Sequence, residues 1–162
     1  MAIAMLAWMI AIPALGFMTG LRSMMPMAVL CWFAYLHHMP IHHSWAFWVA
    51  SPISVGVFSV LAVGELIGDK LPMTPARTAI GPLVARICFG GLVGTIAAMS
   101  LRGAPVEGLL LGVLGALAGS FLGYHIRIWL TKDFGWPDLI VALAEDIIAI
   151  VVSVYAMGIV TG

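Results

Sequence analysis

The sequence predicts an all-α membrane protein, a polytopic transmembrane helix bundle of about six segments built as a single domain over residues 1–162. Three observations carry this expectation. Hydrophobic residues make up 63% of the chain and charged residues only 9%, where a soluble domain carries roughly 25% charged residues. So little polar surface cannot keep a fold of this size in water. The apolar residues run in long blocks cut by Pro, Gly and charges, with no strand-like alternation. A crossing needs about 20 apolar residues, so the chain holds six crossings and short connections, with no room for a soluble domain beside them.

The segments follow in order. The first spans about Ala2 to Met18, punctuated by Pro13 and Gly16. No basic residues precede it, so it reads as a first membrane helix rather than a cleavable signal peptide. The second runs from about Met24 to Leu36, with Pro26 in its first turn, where proline is favoured. It is short enough to be re-entrant or tilted. The third runs from Trp45 to about Leu71 and is stopped by Pro72 and Pro75. The fourth covers about Ile80 to Met99, the fifth Pro105 to Leu130, and the sixth Pro137 to Val160. Trp32, Trp45, Trp48, Trp129 and Trp136 fall near segment ends, as interfacial anchors do.

Six crossings sort the basic residues by side. Arg22, Lys70, Arg77, Arg127 and Lys132 fall in connections on one face, Arg86 lies just inside it, and only Arg102 falls on the other. The positive-inside rule makes the first face cytoplasmic and places both termini outside. Five crossings would scatter the same residues over both faces. Zero net charge gives no reason to expect nucleic acid as a partner. Cys31 and Cys88 lie in apolar runs without metal-site or disulfide spacing and read as packing residues. The His37–His43 loop holds four histidines; a mobile interfacial loop is the simpler reading, metal capture the other.

Small residues recur at helical spacing. Ala4, Ala7, Ala11 and Ala14 line the first segment, and Gly108, Gly112, Gly115, Gly119 and Gly123 line the fifth. Gly16 with Gly20, and Gly90 with Gly94, are further small-xxx-small pairs. Such stripes let helix backbones approach closely, the main source of association in lipid. They predict tight packing inside the bundle or, on the fifth segment, the seam of a homodimer.

The scarce charges carry the functional argument, since each costs about 2.5–3.5 kcal/mol at a helix centre on insertion scales. Glu65 and Asp69 are four apart and share one helix face, with Lys70 about 100° away and Arg77 in the turn beyond. Gly64 and Gly68 beside them would let a ligand or backbone come close. Glu145-Asp146 lies two turns into the sixth segment, on a small and polar stripe of Asp138, Ala142, Glu145, Ala149, Ser153 and Ala156. Arg22 follows the Gly16–Gly20 break, Arg86 lies one turn into the fourth segment, and Arg127 sits near the end of the fifth. The expected arrangement is a polar chamber opening to the cytoplasm, in which Glu65, Asp69, Glu145 and Asp146 face Arg22, Arg86 and Arg127. These groups either neutralise one another and fix the helices in register, or hold a guest. Arginines suit phosphate or carboxylate groups, and four acids suit a divalent cation, the candidate cofactor, or a proton relay.

The strings TGLRSMMP (19–26), GELIGDKLPMTPART (64–78), GPLVAR (81–86), GYHIR (123–127) and FGWPDLIVALAEDIIAI (134–150) resemble a bacterial family of small multi-pass membrane proteins known only as a domain of unknown function. The resemblance covers nearly the whole chain. It implies an integral protein of the bacterial inner membrane with these charged strings as its hallmark, and it implies no activity; in that membrane the outside termini expected from the charge bias are periplasmic.

The expected function is therefore a small transporter or channel for an ion, a small anionic solute or a lipid headgroup, working within the bilayer. Arg22, Arg86, Arg127, Lys70 and Arg77 would hold anionic groups, and the four acids would couple to protons or cations. A membrane-embedded, metal-dependent enzyme on lipid phosphates is the alternative, although no nucleophile elbow, phosphate loop or zinc-protease helix is present. An assembly or structural protein without a ligand is the third reading.

Overall fold

The computed structural model describes residues 7–41, 44–69 and 79–162. Six α-helices occur among them, and no strand. Helix α1 (Ile12–Leu21) follows a π-helical turn (Ala7–Ala11). The proline ring explains the wide turn. Pro13 has no N–H to return to the carbonyl four residues back, so the ladder opens there. Helix α2 (Met24–Tyr35) begins two residues after α1 ends, because Arg22 is extended (φ −139, ψ 105) and breaks the run.

The third segment departs from a continuous helix. A 3₁₀ helix (Trp45–Ala50) leads into α3 (Pro52–Gly68), and Ser51 between them is extended. Pro52 drives its predecessor out of the helical region. The Ser51 side chain then accepts the Ile53 N–H and caps α3. Helix α4 (Ile80–Ser100) ends with Arg102 in the left-handed region, and its last carbonyls accept from Arg102 and Gly103. Helix α5 (Pro105–Ile128) continues into a π turn (Trp129–Asp133), and Gly135 at positive φ turns the chain into α6 (Asp138–Thr161).

Helices α4, α5 and α6 are long and apolar enough to cross a membrane. Their outward residues, among them Val84, Leu114, Ile147 and Val154, are exposed, as lipid contact requires. This is a helical membrane protein. At 1.5 Å per residue α2 is about 18 Å long, short of the roughly 30 Å hydrocarbon core. It does not cross by itself. Its far end packs back near the start of α1: Leu30 and Ala34 share a buried cluster with Ala11, Ile12 and Leu15. The two helices thus form a hairpin with Arg22 and Ser23 buried at its tip.

Glycine decides the core. A Cβ on Gly112 of α5 would lie 2.9 Å from the Gly90 carbonyl carbon and 3.2 Å from the Gly94 Cα of α4. A Cβ on Gly16 of α1 would lie 2.9 Å from the Gly112 Cα. One on Gly119 would lie 3.1 Å from the Gly20 Cα. Helix α5 is clamped between α1 and α4 with backbones in contact, the geometry small residues permit in lipid. The stripe expected as a candidate dimer seam is therefore consumed inside the bundle. Gly56, Gly64 and Gly68 of α3 face open space instead. Cys31 is buried and Cys88 exposed, both free.

Candidate functional site

The tip of the α1–α2 hairpin meets the end of α3 and the third turn of α6, and the charges collect there. Arg22 is fully buried. Its Nη1 lies 2.5 Å from Asp69 Oδ2 at the end of α3, and its Nη2 lies 2.6 Å from Asp146 Oδ1 of α6. Both contacts are ion pairs lying off the ideal hydrogen-bond line, and among the described residues Nε has no hydrogen-bond partner. One guanidinium thus ties three elements together at the point where the chain reverses.

Arg127, on the last turn of α5, forms the outer half. Its Nε and Nη2 donate to the two oxygens of Asp138 at 2.8 and 2.7 Å, a bidentate fork. Its Nη1 lies 3.5 Å from Glu145 Oε2 and 3.6 Å from Asp69 Oδ2. Asp69 Oδ2 is shared by the two arginines, so the halves form one network. Side-chain exposure falls steadily inward: 63% at Asp138, 17% at Arg127, 12% at Glu145, 11% at Asp69, 8% at Asp146 and 0% at Arg22. The ladder has a mouth at Asp138 and a floor at Arg22.

Four of the expected chamber residues besides Arg22 meet in this way: Asp69, Arg127, Glu145 and Asp146. Glu145 and Asp146 are neighbours about 100° apart on a helix, so they serve different arginines. Glu65 does not join them. Its two oxygens accept the backbone N–H groups of Ser23 and Met24 at 2.8 and 2.9 Å. A carboxylate there satisfies two free donors of α2 and sits against the positive end of the helix dipole. Arg86 is buried on α4. Lys70 and Arg77 lie outside the described residues, as do His42 and His43 of the histidine loop. Among the described residues no group of three or more His, Cys, Asp or Glu is placed to hold a metal ion.

Asp138 is the site residue that sequence reasoning passed over as one member of a polar stripe. The available signal was its place in the first turn after Pro137, only 11 residues beyond Arg127 across a glycine turn. Nothing in the sequence marked the N–H groups of Ser23 and Met24 as the partners of Glu65. The cap gives a direct expectation. Glu65→Gln loses the charge and leaves one acceptor oxygen for two N–H donors, and should lower stability by about 1 kcal/mol. Thermal unfolding in detergent measures it. An unchanged midpoint would show that α2 starts without the cap.

A family model described as "Domain of unknown function (DUF4126)" matches residues 9–159. No curated protein and no solved structure matches the chain.

Proposed function

The chain belongs to the DUF4126 family, and from that premise we propose that it is a small membrane transporter or channel for an ion, a small anionic solute or a lipid headgroup. It works in the bacterial inner membrane with both termini periplasmic and the Asp138 mouth facing the cytoplasm. The observation that carries this reading is the ladder itself: charges continue from an exposed carboxylate to a fully buried guanidinium without leaving the network. A lock needs only the buried end. The outer arm from Arg127 to the exposed Asp138 adds little stability, since exposed pairs contribute about 0–1 kcal/mol. It is, however, well placed to receive an anion or pass a proton.

Purified protein in liposomes tests this with chloride, inorganic phosphate, a proton-sensing dye and a fluorescent phospholipid as probes. At least one probe should move faster than in protein-free vesicles. Glu145→Gln and Arg127→Ala should cut that flux at least about tenfold, the equivalent of 1.4 kcal/mol, while the protein stays folded. Equal flux in these variants, or none above empty vesicles, defeats the proposal.

One observation favours a second reading, a structural protein without a ligand. The two terminal nitrogens of Arg22 and the two oxygens of Glu65 are each engaged by the protein itself. Absence of every flux together with a strong dependence of stability on Arg22 would select it.

A further inference from the structure

We infer that the mouth of the ladder is a docking site for a zwitterionic phospholipid headgroup carrying a primary ammonium, one of the guests named by the transporter reading on which the assignment rests. The connection from α5 to α6 and the first residues of α6 are exposed without a break from Lys132 to Ile140. This stretch is not the polar loop that water favours. Phe134, Trp136 and Leu139 are each more than half exposed. Trp129, also exposed, stacks edge-on against Phe134 with ring centres 4.6 Å apart. The N–H groups of Phe134 and Trp136 return to the carbonyls of Trp129 and Leu130, so a closed turn presents the rings. Tryptophan beside charges and apolar side chains is the composition of the headgroup layer. The outward apolar surfaces of α5 and α6 run into the turn from both sides, at Ile126 and at Leu143. The Asp138 mouth therefore opens among headgroups.

The signs at the mouth select the headgroup. Arg127 meets the carboxylates of Asp138, Glu145 and Asp69. A simple anion brought to that guanidinium meets the same carboxylates, and like charges at close quarters oppose it. A headgroup with both signs finds a partner for each. Asp138 is the outermost carboxylate, and 63% of its side chain is exposed, so an ammonium reaches it from outside. Lys132 is exposed on the wide turn that follows Arg127. Its flexible four-carbon stem lets its charge follow a phosphate in the headgroup plane. A primary ammonium donates charge-assisted hydrogen bonds to a carboxylate. Choline, a quaternary ammonium, has no N–H to give, and glycerol brings no cation at all. The expected order is ethanolamine above both choline and glycerol.

Native mass spectrometry of the purified chain tests binding apart from any flux. The protein is released from detergent micelles holding equal amounts of phosphatidylethanolamine, phosphatidylcholine and phosphatidylglycerol with the same acyl chains. Retained phosphatidylethanolamine should exceed each of the others by about fivefold or more, the effect of one charge-assisted hydrogen bond at a partly exposed site. Asp138→Asn should erase that preference, with the unfolding midpoint measured alongside. Lys132→Gln should lower all three lipids alike, by about twofold to fivefold, and keep their order; it serves as the test if Asp138→Asn does not fold. Equal retention of the three lipids by the native protein means annular lipid only and overturns the site. So does an unchanged preference in a folded Asp138→Asn protein. A preference for phosphatidylcholine overturns it as well, by placing the cation on ring faces such as that of Trp136. Displacement of bound phosphatidylethanolamine by free phosphoethanolamine makes the guest a solute and overturns the lipid source. Selective retention with no probe moving in liposomes keeps this site and removes the transporter reading. Flux of chloride, phosphate or protons without lipid selectivity does the reverse.

Discussion

Replacing Arg22 with alanine is expected to remove most of the stability of the fold. The side chain is fully buried, and its loss takes a close counter-ion from both Asp69 and Asp146, which are almost as deeply placed. Breaking a buried ion pair by deleting one partner costs about 3–5 kcal/mol, because the remaining charge has neither water nor a counter-ion. Two carboxylates lose their Arg22 partner here, against a total stability of about 5–15 kcal/mol for a typical domain. The unfolding midpoint in detergent should fall steeply, and much of the protein should be lost on purification. Arg22→Lys should lie between, since one ammonium on a shorter stem cannot meet two carboxylates arriving from α3 and α6. A neutral replacement of the whole set, Arg22→Met with Asp69→Asn and Asp146→Asn, should recover much of the loss, because no bare charge is left. If Arg22→Ala unfolds at the wild-type midpoint, the hairpin tip is not held by these charges.

The second large effect is expected at Gly112. Its missing side chain is what allows α1 and α4 to reach α5 at once. A Cβ would lie 2.9 Å from the Gly90 carbonyl carbon, and that neighbour is backbone, which cannot turn aside. Gly112→Ala should cost about 1–3 kcal/mol, the usual price of overpacking. Gly112→Leu should part the three helices and shift the protein towards aggregate on size exclusion, compared with the native protein run alongside. Separation loses contact along the whole crossing, and in lipid that contact is the main attraction between helices. Gly64→Ala is the matched control: nothing lies within 4 Å of its added atom, so stability should stay within about 0.5 kcal/mol. A folded Gly112→Leu protein would mean that the glycine crossing is not the core of the molecule.

Much of the site was legible because chain spacing dictates it. Glu65 and Asp69 share a face at a spacing of four, and both do turn to the hairpin tip. The small and polar stripe of α6 is buried at Ala142, Asp146, Ala149, Ser153 and Ala156. The pairing was not legible. Glu65 and Asp69 were expected to act together on arginines, yet one caps a helix 42 residues earlier in the chain while the other meets Arg22. Spacing sets the direction of a side chain from its own axis, and only the position of the neighbouring axis decides what it meets.

The sequence by itself determined the all-α class, the apolar surroundings of the helices and the scarcity of charge that makes each ion informative. Each of these follows from composition or from periodicity along the chain: hydrocarbon excludes unpaired polar groups, so apolar runs become helices and the few ions mark their ends. Tertiary structure alone decided that the glycines of α5 zip the bundle from within, that α2 is half of a buried hairpin, and that Arg22 rather than Arg127 is the deepest charge. Those outcomes depend on how closely separate helices approach, a distance set by packing between faces far apart in sequence.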